Sequence, residues 1–327
     1  MEKRYAIIEL GSRGIRLLVA DASPRGISQV VFSTGGMSEL GRERDKEGEI
    51  PGKIIAQVRG QMEEYIQLAR EKAAGIVYAF VTEAVRSATN QAEILTQLLP
   101  LCEVEVLEKN QEAQYSCLAS MEAFRSTLLP GQPVLVIDQG GGSLELACGL
   151  IDAGGEIIIK GCESLPLGTV ELSGFFVEAE TIRTGYENVQ KYINRELERH
   201  KPFAAFGNLP PEYVFGLGST ITELAQLLNK TDQSRKSLRG LHGSFIATET
   251  IRSLIKGTDA QLDVPKSVLG DRIGIDGDMS TFFGGVLSYY TLLEKYHTDG
   301  ITVNRQGLRY GVLLGRCGYP YQVDLPK

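Results

Sequence analysis

The sequence predicts an α/β protein of two domains built on an internal duplication. Three observations carry this expectation. The chain has 327 residues, for which two domains are the default. A strand–acid–Gly/Ser turn occurs twice, once over residues 6–14 (Ala6-Ile7-Ile8-Glu9-Leu10-Gly11-Ser12-Arg13-Gly14) and once over 134–143 (Val134 to Ser143). Between them, Pro130-Gly131-Gln132-Pro133 is the clearest break in the chain, and the strand pattern restarts after it. In each turn the apolar run reads as a buried strand. The acid at its end, Glu9 or Asp138, can bind a divalent cation through oxygen. The glycines let backbone N–H groups close around an anion with no Cβ in the way. One such loop alone is equally well a tight hairpin. Two, at matching places, read as two half-sites for one phosphate chain.

The elements follow in order. Residues 5–10 and 15–20 read as strands joined by the first loop, and 27–33 as a third strand. Residues 42–49 form a charged surface loop. A helix is expected over 52–72, because Ile54, Ile55, Val58, Met62, Tyr65, Ile66 and Ala69 share one face. Residues 76–81 are a buried strand running into a helix that starts within Thr82–Asn90 and is closed by Pro100. A short strand at 104–107 precedes a helix beginning near Asn110. After the break, strands at 134–138, 143–149 and 155–161 repeat the N-terminal order. A long polar helix is expected over 178–203, then a strand at 213–217 leading through Gly216-Leu217-Gly218-Ser219-Thr220 into another helix. The tail reads as helix 281–297, strand 300–304 and helix 307–315. The expected domains are therefore 1–130 and 131–304, with 305–327 a candidate to pack on the first.

Composition narrows the chemistry. At 43% hydrophobic residues the chain can bury sizeable cores, and a net charge of −7 argues against nonspecific nucleic-acid binding and gives no polybasic membrane patch. The five cysteines (Cys102, Cys117, Cys148, Cys162, Cys317) are scattered without a Cys-x-x-Cys pair, and His200, His242 and His297 lie far apart. Neither zinc nor a disulfide framework is indicated, so metal chemistry would be carboxylate chemistry. The N-terminus enters a strand directly, and no apolar run approaches ~18 residues. A cytoplasmic protein with neither nucleic-acid nor membrane partner is expected.

Several segments together resemble the exopolyphosphatase / guanosine pentaphosphate phosphohydrolase (Ppx/GppA) family, in its short two-domain form, within the actin / sugar kinase / Hsp70 superfamily. Val136-Ile-Asp-Gln-Gly-Gly-Gly-Ser-Leu-Glu-Leu146 is similar to that family's second phosphate motif nearly letter for letter. Thr82-Glu-Ala-Val-Arg86 with Asn90, and Leu107-Glu-Lys-Asn-Gln-Glu-Ala113, are similar to two further motifs. Leu165-Pro-Leu-Gly-Thr169, Gly216-Leu-Gly-Ser-Thr220 and Gly307-Leu-Arg-Tyr-Gly311 match other blocks. The resemblance implies two duplicated actin-like (ribonuclease H-like) domains with mixed five-stranded sheets and an interdomain cleft. It implies Glu112 as the base that orients the attacking water. It implies Gly11, Ser12, Arg13, Arg86, Gly140, Gly141, Gly142 and Ser143 as phosphate contacts, and Glu9, Asp138 and Glu145 around Mg2+ or Mn2+. Mg2+ prefers few protein oxygens and several waters, which suits so sparse a set. The implied reaction releases terminal phosphate from inorganic polyphosphate or from pppGpp. The implied ligands are polyphosphate or a guanosine penta- or tetraphosphate, and a homodimer is compatible with the family.

Four departures from the family pattern stand out: Glu9 for Asp, Arg13-Gly14 for Asn-Ser, Gln111 for Glu, and Tyr310 for Glu. Glu9 keeps the charge one methylene further out. Arg13 adds a fixed cation beside a phosphate loop, and Gln111 removes a carboxylate next to the base. These changes motivate an alternative of another class, a degenerate member that binds alarmone or polyphosphate without turning it over. A small-molecule kinase on the same fold would need an ATP site around Gly216–Thr220 and is the weakest alternative.

Overall fold

In this computed structural model the structure describes residues 1–41, 47–179, 182–200, 204–207, 209–229, 240–259 and 279–325. The chain divides into two compact units. The first is Met1–Glu122 with Gln306–Gln322; the second is Ala123–Arg305 with the segment from Val323 onward.

The first unit is a five-stranded sheet with helices. Strands β1 (Lys3–Leu10), β2 (Gly14–Ser23) and β3 (Gly26–Met37) form an antiparallel meander. Helix α1 (Gly52–Glu71) buries the seven expected residues, Ile54 through Ala69, and carries the chain to β4 (Ile76–Val81), parallel to β1. Two short helices, α2 (Glu83–Arg86) and α3 (Gln91–Leu98), cross over to β5 (Glu103–Val106), and α4 (Lys109–Ala123) follows. The sheet order is β3-β2-β1-β4-β5. β1 reads as a continuous apolar run because it lies mid-sheet: Ala6, Ile7, Ile8 and Leu10 are all fully buried.

The single helix expected from Thr82 to Pro100 is two helices. Asn90, at the start of α3, does not cap it. Its side chain instead brackets the backbone of Ile50, donating to the Ile50 carbonyl (2.9 Å) and accepting from the Ile50 N–H (3.0 Å). An Asn side chain that mimics a backbone pairing competes with helix continuation.

The second unit repeats the arrangement. β6 (Val134–Gln139), β7 (Leu144–Ile151) and β8 (Ile157–Leu165) form the meander, and β9 (Tyr213–Gly218) pairs parallel with β6. β10 (Phe245–Ala247) and β11 (Gly300–Val303) extend one side, giving β8-β7-β6-β9-β11-β10, and a last short strand pairs outside β8. Its helices are α5 (Thr169–Glu178), α6 (Ile182–Arg199), α7 (Ser219–Asn229), α8 (Thr248–Asp259) and α9 (Met279–Lys295). The last elements are α10 (Leu308–Cys317), in the first unit, and β12 (Tyr321–Val323), where the chain passes to the second. Among the described residues the second sheet counts seven strands, not the expected five, because short strands extend it. The polar helix expected over 178–203 is α6 alone, preceded by the separate α5; residues 201–203 lie outside the described residues. So do residues 42–46 of the expected charged loop.

Both hairpins share one geometry. Leu10 pairs with Ile15 around residues 11–14, and Gln139 pairs with Leu144 around residues 140–143. Gly11 N donates to Gly14 O and Gly140 N to Ser143 O, each at 2.9 Å. Each acid stands two residues before the loop, and each faces a cross-strand partner: Glu9 faces Arg16, Asp138 faces Glu145.

Candidate active site

The first unit gathers Gly11, Ser12, Arg13, Arg86 and Glu112 at the ends of β1, β4 and β5. The carbonyls of Leu10, Gly11, Ser12 and Arg13 are taken by Thr82 N (3.2 Å), Ser38 Oγ (2.7 Å), Gly41 N (2.8 Å) and Ser38 N (3.2 Å). In a planar trans peptide N–H and C=O point oppositely, so the N–H groups of Ser12 and Arg13 face away from this strap. That orientation is the one an anion cradle requires. Ser12 Oγ donates to Glu83 Oε2 at 3.3 Å, tying the loop to the start of α2.

Three residues further on, Arg86 closes α2. Its Nη1 donates to the Leu107 carbonyl (2.6 Å) and to Glu112 Oε1. Both members of this ion pair are buried, with side chains 13% and 7% exposed. Arg86 Nη2 is buried and has no hydrogen-bond partner among the described residues, which leaves donor capacity at a group built to bind oxyanions. Beside the pair lies a pocket of about 450 Å3 lined by Arg86, Ser87, Glu108, Lys109 and Asn110. Glu112 sits in the first turn of α4. Gln111 Oε1 accepts the N–H of Glu108 at 2.8 Å, the reciprocal half of a capping box. The departure at Gln111 thus caps the helix that carries Glu112.

The second unit gathers Asp138, Gly140, Gly141, Gly142, Ser143 and Glu145. α5 begins directly on the loop: Thr169 N donates to Gly140 O (3.0 Å) and Val170 N to Gly141 O (2.9 Å). Gly168 makes this approach, and a Cβ there would stand 2.2 Å from the Gly142 carbonyl carbon. Gly218, at φ +105°, similarly lies against Gln139, 2.2 Å from its carbonyl oxygen were a Cβ present. Only glycine fits either place.

Asp138 and Glu145 are direct cross-strand partners, so their side chains share a face with Cβ atoms about 5 Å apart. Ser143 Oγ (2.6 Å) and Ser164 Oγ (3.0 Å) both donate to Glu145 Oε1, and Glu145 is buried. Like charges directly opposed in a ladder are unfavourable alone. An all-oxygen pair held by hydroxyls fits a hard divalent cation that keeps most of its waters. Among the described residues no group of three or more His, Cys, Asp or Glu could hold a metal, so any such site is of this sparse kind. Glu9 is differently placed: Oε2 lies 3.2 Å from Arg309 Nε and Oε1 lies 3.5 Å from Arg16 Nη1. The thiols are remote from chemistry. Burial pushes Cys148 and Cys162 up to about 12 and Cys102 up to about 11, which disfavours a thiolate at neutral pH.

The sequence pattern of the Ppx/GppA phosphatase family matches residues 18–319. The chain belongs to the Ppx/GppA phosphatase family. Among characterised relatives, it is 29% identical over 320 residues to Exopolyphosphatase 1 of Mycobacterium bovis, covering 95% of this chain and 87% of that protein. It is 25% identical over 336 residues to Exopolyphosphatase 2 of Mycobacterium tuberculosis, covering 96% and 99%. The crystal structure of the Aquifex aeolicus family member superposes with a TM-score of 0.77 at 27% identity, over 97% of this chain and 98% of that one. An exopolyphosphatase from Cytophaga hutchinsonii shares the fold, with a TM-score of 0.77 at 19% identity over 97% and 99%. The two-domain, actin-like α/β architecture expected from the sequence is thus that of the family.

Several residues at the site were not singled out from sequence. Ser38 and Gly41 strap the first loop from 25 or more residues away, which no local pattern signals. Lys109, Asn110, Ser87 and Glu108 line the pocket beside residues that were. Arg16 was legible: once the turn is four residues, the position opposite Glu9 follows. Arg309 lay within a quoted block without a role.

Proposed function

We propose that this chain is a phosphohydrolase that releases terminal phosphate from inorganic polyphosphate, with pppGpp as a second candidate substrate. The observation that carries this reading is the buried Arg86–Glu112 pair beside a pocket lined by Lys109, Asn110 and Ser87. Names of the relatives at 25–29% identity support the same substrate class.

In this reading the loop N–H groups of Ser12 and Arg13, and of Gly140 to Ser143, bind phosphoryl oxygens. Arg86 binds a further phosphate through its unsatisfied Nη2 edge. Glu112 accepts the proton of the attacking water, and a phosphate that draws on the guanidinium loosens its hold on that carboxylate. Positioning and charge stabilisation carry most of such a barrier, and a placed base adds about 10²–10⁴-fold. Asp138 and Glu145 would hold Mg2+ or Mn2+, which when bound supplies charge neutralisation on the phosphate oxygens.

The test is phosphate release from polyphosphate and from pppGpp with Mg2+ or Mn2+, using the intact protein and Glu112→Gln. Activity that falls about 10²-fold or more in Glu112→Gln supports the reading. No phosphate from either substrate with either metal sinks it. A second reading, binding without turnover, is favoured by one observation: Glu9 is held by arginines. Calorimetry showing tight polyphosphate or pppGpp binding with no product formed would select it.

A further inference from the structure

Glu9 and Asp138 occupy the same place in two equivalent hairpins, but their cross-strand partners have opposite charge. Asp138 faces a carboxylate, Glu145; Glu9 faces a guanidinium, Arg16. Arg16 is half exposed, at 47% of its side chain, and an exposed pair of 3.5 Å is weak. The stronger partner is Arg309 on α10. Its Nε lies 3.2 Å from Glu9 Oε2, and only 15% of its side chain and 12% of Glu9's are exposed. Arg309 is anchored from behind, donating through Nη1 to the Leu17 carbonyl at 3.3 Å. Glu9 Oε1 meanwhile lies close over Gly11, 3.5 Å from where a Cβ would be. A guanidinium stays protonated throughout the range in which proteins fold. A divalent cation at Glu9 would stand against two fixed positive charges.

We propose that Arg309 is the resident cation of the first hairpin: it neutralises Glu9 and holds it beneath Gly11, so that Glu9 positions the 11–14 loop and the divalent cation binds at Asp138 and Glu145 alone. The extra methylene of Glu9 then has a physical purpose, since it reaches a guanidinium and folds back over the loop. The inference concerns the metal site of the hydrolytic reading but does not depend on turnover.

The experiment is Mn2+ binding to the full chain, read by electron paramagnetic resonance of free Mn2+ and by calorimetry, with no substrate present. The unaltered protein, Glu9→Gln, Asp138→Asn and the charge-balanced Glu9→Gln/Arg309→Gln are compared, each checked for folding by circular dichroism. Asp138→Asn is expected to weaken Mn2+ about tenfold or more, the scale seen on disturbing a metal site. Glu9→Gln and the double variant are expected to stay within about twofold of the parent, with the same stoichiometry. The double variant keeps the test open if the single one fails to fold. Weakening of about tenfold in either Glu9 variant, or absence of Mn2+ binding to the unaltered protein, overturns the proposal. Failure of hydrolysis with this metal pattern intact would count against the hydrolytic reading and not against this one.

Discussion

Arg86 has two demands on one guanidinium. It satisfies Glu112 and the Leu107 carbonyl with Nη1 and keeps Nη2 without a protein partner. Removing one member of a buried pair leaves the other charge stranded, at a cost of about 3–5 kcal/mol, whereas replacing both by apolar or neutral groups is often nearly neutral. Arg86→Met alone should therefore destabilise by about 3–5 kcal/mol, and Arg86→Met/Glu112→Gln should recover much of that loss. Denaturant unfolding of the two single variants and the double gives the coupling directly. Additive effects would show that the two side chains do not depend on each other in solution. The same cycle separates stability from chemistry, because the double variant should be folded and inactive.

Helix α4 sets where Glu112 stands, and it is fixed at both ends of its first turns. Its start is capped by Gln111, whose Oε1 accepts the Glu108 N–H. One turn further on, Gly311 and Gly315 of α10 bring that helix onto Tyr115; a Cβ at Gly311 would lie 1.9 Å from the Tyr115 carbonyl oxygen. A capping box takes Glu as readily as Gln, so Gln111→Glu should leave stability nearly unchanged. Gln111→Ala should cost about 0.5–2 kcal/mol, as lost caps do. Thermal melts of the two variants check this; equal losses would show that the cap contributes nothing. The cap also explains why the Gln111 departure is compatible with Glu112 held in the first turn of α4. Sequence reading saw a missing carboxylate there, because a capping contact depends on which residue begins the helix. The hairpins and the α1 face were legible for the opposite reason. Each is a local periodicity: Ile54 through Ala69 repeat on one helical stripe, and Leu10 and Ile15 flank a four-residue turn. What was not legible was mostly distant in sequence. Ser38 straps Gly11, Asn90 clamps Ile50, and Arg309 reaches Glu9 across 300 positions of chain. No window of neighbouring residues contains such pairs. β10, three residues long, was too short for any periodic signal.

At the scale of the whole molecule, the first unit is not a contiguous stretch of sequence. It takes α10 from beyond residue 305, and α10 lies against β1, β2 and β3. Leu308, Val312, Leu313, Leu314 and Cys317 are buried there. Each such aliphatic side chain removed from water contributes about 1.5–3 kcal/mol, a large share of the roughly 5–15 kcal/mol that holds a domain folded. Arg309 leaves with the same helix, which strands Glu9 beside Gly11 with only the half-exposed Arg16 near it. Ending the chain after Arg305 should therefore unfold the first unit, while the second loses only its edge strand β12 and keeps the rest of its sheet and its core. Hydrogen exchange should report this as lost protection over 3–23 and 54–69 with protection retained over 134–151 and 213–225. Adding Mn2+ to the truncated chain should still protect the strands that carry Asp138 and Glu145, since these proposed ligands and the 140–143 loop belong to the second unit. Protection retained over β1 and β2 after truncation would show that the C-terminal helix only decorates the first sheet. Protection lost throughout would show that the two units unfold as one.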